Sequence, residues 1–262
     1  MERLILKNGR LFLIKSMLFA FTAALFAQVP SQKEQIRLLV WADLDAFPGI
    51  FEEPAADVTA DTDAPESQPE LPAESAQSES EKRSKTWPFD FAINRTKEIA
   101  PFLLSGMLNG WSFEYTPYDK SRKVSEYWEV KEIQPFNPET CRLEYRDPVV
   151  KEDRLLCWVY CDRSVQQIKN YEYWTSINHP HIHGKGTGKV EDGFDGIKEA
   201  CSNALKQAVR DYWRTMIKNK PREISGKVLL IREPRVYIKD GQYTVDLDFF
   251  IQTDRIIEYS FF

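Results

Sequence analysis

The three histidines of the chain occur together, in the segment Asn178-His-Pro-His-Ile-His-Gly184. In an extended strand alternate side chains point to one face, so His179, His181 and His183 would lie on the same side. Several imidazoles on one side are a ligand set that suits zinc or copper. The segment therefore raises the hypothesis of a metal-binding extracytoplasmic protein, with a hydrolase as its enzymatic form.

Strand geometry makes this metal site the alternative rather than the leading interpretation. Same-face neighbours lie roughly 6–7 Å apart along a strand, so three histidines reach one tetrahedral ion only if the chain bends at Pro180. No further histidine occurs in the sequence, and Glu191 or Asp192 would have to supply the fourth ligand. Zinc is thus the alternative cofactor, and the leading interpretation has no cofactor.

Other catalytic motifs are absent from the sequence. Gly184-Lys-Gly-Thr-Gly188 precedes a predicted helix, as phosphate-binding loops do, but it lacks the G-x-x-x-x-G-K-[ST] spacing. We interpret it as a flexible loop. No G-x-S-x-G sequence is present either. The sequence therefore favours a protein that is not an enzyme.

Aromatic residues crowd the strands predicted between residues 111 and 177. Alternation can bury only half of a strand's side chains in one core. The remainder would form a contact surface for a peptide or a partner protein, unless helices and the 28–51 segment close a second core over them. The candidate partner-binding residues are Trp111, Tyr115, Trp128, Trp158 and Trp174.

The amino terminus has the layout of a secretory signal at residues 1–27. Basic residues precede an 11-residue apolar run from Met17 to Ala27, and small residues allow cleavage after Ala27. Retention as a membrane anchor is the alternative, although a bilayer span needs roughly 20 apolar residues. We expect a periplasmic or secreted protein that touches the membrane only through this sequence, if it stays uncleaved.

Two segments separate the signal from the main domain. Residues 28–51 contain the strand-like run from Ile36 to Trp41, which we expect to pair with an edge of the main sheet rather than to dock on another protein. Residues 52–86 form an acidic linker predicted to be disordered, because Glu52 to Glu81 holds ten acidic residues, four prolines, no base and no aromatic.

Residues 87–262 are predicted to form one α+β domain. Apolar residues recur with helical spacing over about 194–218 and, with Pro101 in the first turn, over about 97–109. Strands are predicted around these helices, including Val165 to Ile177, and Asp240-Gly241 is a hairpin turn signal. We therefore expect a curved antiparallel sheet packed against one long amphipathic helix and a shorter one.

The four cysteines and the charge distribution complete the prediction. An exported chain permits disulfides, so either Cys141 bridges Cys157 or Cys161 or no bridge forms. Cys201 falls on the buried stripe of the long helix. The net charge of -5 is concentrated in the acidic linker, and the nearly neutral remainder argues against nucleic-acid binding. We expect a non-enzymatic envelope protein that binds or assembles with an envelope protein or peptide.

Overall fold

The computed structural model describes residues 33–44, 89–139 and 141–259. The predicted signal at 1–27 and the predicted linker at 52–86 lie outside the described residues. Within the described ranges the elements follow one another as β1 (Gln35–Asp43), α1 (Asp90–Leu108), β2 (Trp111–Thr116), β3 (Tyr127–Glu132), β4 (Leu143–Lys151), β5 (Arg154–Asp162), α2 (Val165–Trp174), β6 (His181–Lys189), α3 (Gly193–Met216), β7 (Glu223–Leu230), β8 (Arg235–Lys239) and β9 (Gln242–Ile257).

The strands form two antiparallel sheets, which confirms the α+β class. The larger sheet has the order β3-β2-β7-β9-β6, with β8 also paired to β9. The smaller sheet has the order β1-β5-β4. Helix α3 packs on β6 and β9, and α1 contacts both β1 and β7. One apolar core therefore joins the two sheets through the helices.

Strand β1 belongs to this core although it lies far from the other strands in sequence. It pairs with β5 along its whole length, from Gln35 opposite Asp162 to Asp43 opposite Arg154. Its inward side chains include Leu38, which is fully buried. The strand-like run within residues 28–51 thus returns to pair with the main domain.

Both predicted helices are present. Helix α3 matches its predicted range to within two residues at each end, the usual uncertainty of helix boundaries. Helix α1 begins at Asp90, so the prediction that Pro101 occupies its first turn is wrong: this proline lies inside the helix. The buried side chains of Ile99 and Leu103 pack α1 into the core, and this burial offsets the hydrogen bond that proline cannot donate.

The predicted strand from Val165 to Ile177 is wrong, because Val165–Trp174 forms helix α2. Its start is a capping box. The Gln167 backbone N–H donates to the Ser164 hydroxyl over 3.3 Å, and the Ser164 backbone N–H donates to the Gln167 side-chain oxygen over 2.8 Å. These two bonds satisfy donors that a first helical turn leaves free.

The predicted flexible loop at Gly184–Gly188 is also wrong, because it is part of strand β6. Glycines alternate there with exposed residues, and Gly184, Gly186 and Gly188 face α3 at backbone contact distance. The glycines thus let a helix approach the strand closely.

One disulfide joins Cys141 to Cys161, whose Cα atoms lie 6.6 Å apart. Cys157 and Cys201 are free and buried. Burial raises the pKa of the Cys201 thiol to about 12, as expected for a structural thiol in the core.

Candidate partner-binding surface

The outward face of the smaller sheet carries aromatic, aliphatic and arginine side chains. On β5 the residues Leu155, Cys157 and Val159 are buried, whereas the alternating residues Trp158 and Tyr160 are half-buried and point outward. Residues opposite them on β1 and β4 share this face. We call it the arginine–aromatic face and define it as Arg37, Leu39, Trp41, Arg146, Arg154, Leu156, Trp158 and Tyr160.

Three guanidinium groups lie over aromatic rings on this face. The Arg37 Cζ atom is 3.6 Å from the Trp158 ring centroid, and the Arg146 Cζ atom is 4.7 Å from the Tyr160 centroid. Each cation–π contact of this kind contributes about 0.5–1 kcal/mol at an exposed site. The stacking restricts the orientation of these long arginine side chains.

The third contact sits at the other end of the face. The Arg154 Cζ atom is 4.3 Å from the Trp41 ring centroid, and its Nε lies 3.3 Å from an Asp43 carboxylate oxygen. Arg146 is likewise paired with Glu144, and this hydrogen bond raises the pKa of Arg146. Arginine and carboxylate groups thus lie side by side here. Such a mixed surface suits a polypeptide better than the phosphate backbone of a nucleic acid.

The β1 edge of the smaller sheet is closed by the chain itself. The Leu39 backbone N–H donates to the Glu233 carboxylate over 2.8 Å, and the Trp41 indole N–H donates to the Val236 carbonyl over 3.0 Å. Partial burial raises the pKa of Glu233. An added strand would have to displace these bonds, so the face, rather than this edge, is available for binding.

The β4 edge is also unsuited to strand addition. Its pairing with β5 shifts register between Arg146 and Val149, and Pro148 lies in the interrupted stretch. Proline cannot donate a backbone hydrogen bond, and a register shift twists an edge away from a partner strand. Neither edge of the smaller sheet is therefore free to accept an added strand.

Three of the five predicted contact residues are core residues. Trp111, Tyr115 and Trp174 are 2%, 4% and 3% exposed, so these three side chains do not lie on the surface of the described structure. Trp111 packs against α1, where its ring stacks on Phe102 at 5.1 Å. For Trp111, a helix thus covers the ring, which is the alternative that the aromatic strands left open.

The other two predicted contact residues have different surroundings. Trp128 is half-buried, and its indole N–H donates to the Ser202 hydroxyl of α3 over 2.9 Å. Trp158 alone of the five lies on the arginine–aromatic face. Sequence reasoning missed its neighbours Arg37 and Arg146, because both are far from Trp158 in sequence and only strand pairing brings them together.

The three predicted metal ligands are not brought together. His179 precedes β6, and its ring packs on Tyr173 and Trp174 with centroid distances of 4.6 and 4.8 Å. His181 and His183 are exposed on β6. Since strand β6 begins only after Pro180, the first histidine does not share the face of the other two.

Two aspartates of β9 lie beside the two exposed histidines. His183 Nδ1 lies 3.2 Å from Asp248 and 3.4 Å from Asp246, and His181 Nε2 lies 3.5 Å from Asp248. The proposed fourth ligands, Glu191 and Asp192, fall in the turn before α3. In the described ranges no group of three or more histidine, cysteine or acidic residues is arranged to hold a metal ion. The described residues therefore do not form one ligand set from His179, His181 and His183, and metal binding by this segment stays a prediction.

None of the described helices has the length and apolarity that crossing a bilayer requires.

Comparisons with known proteins place the chain in a family. No solved structure matches the chain significantly. An uncharacterized protein of Treponema pallidum (strain Nichols) is 22% identical over 259 residues, which cover 97% of this chain and 96% of the relative. A protein-family model matches residues 22–259, which include every described strand and helix, and the chain belongs to the family that this model defines.

Proposed function

We propose that this protein is an exported, non-enzymatic module of the cell envelope that binds or assembles with a protein or peptide partner through the arginine–aromatic face. The observation that carries the proposal is the pair of outward rings on β5, Trp158 and Tyr160, on which the Arg37 and Arg146 guanidinium groups are stacked. Aromatic residues and arginine are the residue types enriched where proteins meet one another.

Two further observations support an extracytoplasmic location. Residues 1–27 have the charge and hydropathy pattern of a secretory signal. The bond between Cys141 and Cys161 is of a kind that persists in oxidising compartments and is rare in the cytosol. Both observations support the proposed location, in the periplasm or outside the cell.

A capture experiment in intact envelopes tests the binding function. The tagged chain is crosslinked in cells, purified and analysed by mass spectrometry, in parallel with the variants Trp158→Ala and Arg37→Ala. A specific partner should be recovered with the parent chain and lost, or recovered at least about fivefold less, with each variant, because hot-spot aromatics contribute on the order of 1–2 kcal/mol or more to an interface.

The matched control is Tyr173→Ala, which removes an aromatic ring that is 52% exposed on α2. This variant should retain the partner. A partner recovered equally well with Trp158→Ala, or lost equally with Tyr173→Ala, would show that the arginine–aromatic face is not the contact surface.

Fractionation tests the location separately. The mature chain should appear in the periplasmic or secreted fraction with an amino terminus at Gln28, which follows the predicted cleavage position. A chain that retains Met1 and is found free in the cytosol would contradict export.

A further inference from the structure

A cavity of about 260 Å³ opens at the carboxyl end of α3. Helix α3, the end of β2 and the turn leading into β7 enclose it. Its walls combine buried rings with charged side chains, and the residues that matter here are Tyr115, Glu126, Arg210, Trp213, Arg214 and Lys218. We call it the basic cavity.

The inner wall of the basic cavity is apolar. Tyr115 is 4% exposed, Trp213 is 7% exposed, and Ile224 is fully buried. Pro221, which is also buried, adds a further apolar surface. These groups form a wall against which a flat or branched apolar body can pack.

The outer rim of the basic cavity is cationic. Arg210, Arg214 and Lys218 line it, and Glu126 is the acidic residue among the described lining residues. The Glu126 carboxylate accepts a hydrogen bond from the Tyr115 hydroxyl over 3.1 Å and lies 3.8 Å from the Lys206 ammonium group. Lys206 therefore offsets the charge of Glu126, and Asp211, 3.7 Å from Arg214, offsets part of the Arg214 charge. Arg210 and Lys218 keep an excess of positive charge at the rim.

The titration of Tyr115 reflects the same arrangement. Burial raises the pKa of this phenol to about 12, and the Glu126 carboxylate acts in the same direction. The guanidinium groups of Arg210 and Arg214 act in the opposite direction. Both arginines are thus close enough for their charges to act on the cavity wall.

Exposed basic residues such as Lys198 are explained by a solvated helix surface. That explanation is not sufficient for Arg210 and Arg214, because they line a cavity together with buried rings. The Trp213 indole N–H in this wall is buried and, in the part of the chain that the structure describes, has no acceptor within hydrogen-bonding distance. The Trp213 side chain therefore contributes to the cavity as an apolar wall.

We propose that the basic cavity is a binding site for a small organic carboxylate with an aromatic or branched apolar body. The carboxylate meets Arg210, Arg214 and Lys218 at the rim, and the apolar body packs against Tyr115 and Trp213. Arginine suits this role because its planar guanidinium can donate two parallel hydrogen bonds to a carboxylate. This site is separate from the arginine–aromatic face and does not depend on the proposed function.

Titration with phenylacetate tests the site on the purified full chain. Phenylacetate should bind saturably with a Kd on the order of 1 mM, in keeping with the efficiency of ligands of this size. Phenylacetamide, which has the same body without the charge, should bind at least about fivefold more weakly. Added salt should weaken the binding of phenylacetate alone.

Two variants assign the binding to the cavity. Arg210→Gln should raise the Kd of phenylacetate about three- to fivefold, the effect expected for loss of one exposed charge pair. Lys198→Gln, on the same helix but outside the cavity, should leave the Kd unchanged. In ¹H–¹⁵N spectra the Trp213 indole resonance, assigned with Trp213→Phe, should shift on binding.

Three results would overturn the proposal: no saturable binding of phenylacetate, equal affinity for phenylacetamide, or equal weakening by Lys198→Gln. A thermal melt of each variant accompanies the titration. It shows whether a loss of binding follows from loss of the fold, in which case Lys218→Gln, at an exposed rim position, replaces Arg210→Gln as the deciding variant.

Discussion

Gly188 of β6 and Gly196 of α3 lie backbone against backbone: a Cβ atom on Gly188 would come within 1.9 Å of the Gly196 carbonyl oxygen. The same close approach continues one step along the strand, where a Cβ atom on Gly186 would lie 2.2 Å from the Ala200 carbonyl oxygen. Neither neighbour is a flexible side chain that could move aside. The strand and the helix can therefore pack at this distance only if the strand carries glycine at these positions.

The variant Gly186→Ala should lower the free energy of unfolding by about 1–3 kcal/mol or more, since overpacking against backbone forces strand and helix apart. Thr187→Ala, at the next position on the exposed face of β6, should change it by less than about 0.5 kcal/mol. Denaturant midpoints of the three chains measure the difference. Equal stability of Gly186→Ala and the parent would mean that α3 is not seated on β6 as described.

The bond between Cys141 and Cys161 should stabilise the domain. It closes a loop between positions 20 residues apart, for which chain entropy predicts about 3 kcal/mol. The double variant Cys141→Ala/Cys161→Ala should lose a stability of this size in non-reducing denaturation. Alkylation of the unfolded, unreduced parent should label Cys157 and Cys201 alone, and labelling of all four cysteines would contradict the pairing.

Tyr115 should make stability fall at alkaline pH. Burial, with help from Glu126, raises the pKa of its phenol from 10.0 to about 12 in the folded state. Between pH 10 and 12 the unfolded chain releases this proton while the folded chain keeps it, so the free energy of unfolding decreases as the pH rises. Below pH 10 the contribution is fully present.

Unfolding curves at pH 9, 10 and 11 measure this effect. In Tyr115→Phe the decline should be shallower than in the parent, because one contributing proton is removed. Glu126→Gln should also reduce the decline, since it removes the second cause of the raised pKa. The same slope in the parent and in Tyr115→Phe would mean that this phenol is not held in its neutral form.

The contact of Arg37 with Trp158 should be measurable as a coupling energy. A double-mutant cycle with Arg37→Ala and Trp158→Leu should give about 0.5–1 kcal/mol, the range for an exposed cation–π pair. A second cycle that combines Arg37→Ala with Tyr173→Ala serves as the control and should give zero within about 0.3–0.5 kcal/mol. Equal coupling in both cycles would show that the guanidinium does not rest on the Trp158 ring.

Local sequence patterns predicted the elements whose own residues carry a clear helix or turn signal. The apolar stripe of α3 and the Asp240-Gly241 turn between β8 and β9 are both present, with Lys239 opposite Gln242 across that turn. Together they indicated the α+β class, because such signals depend on the residues within one element. The same kind of reasoning did not find α2, whose aromatic residues favour strands, although Ser164 and Gln167 carried a capping signal.

By itself the sequence determined which residues can share a face, and the tertiary structure decided which faces are covered. Trp111 and Trp158 both lie on strands whose side chains alternate between two faces. Trp111 is buried under α1, whereas Trp158 lies on the arginine–aromatic face. Likewise, the glycine-rich sequence of β6 is typical of a flexible loop. In the structure these glycines lie in a strand, and Gly196 and Ala200 of α3 pack on them. Burial depends on contacts between elements that are distant in the chain, and strand or helix periodicity carries no information about those contacts.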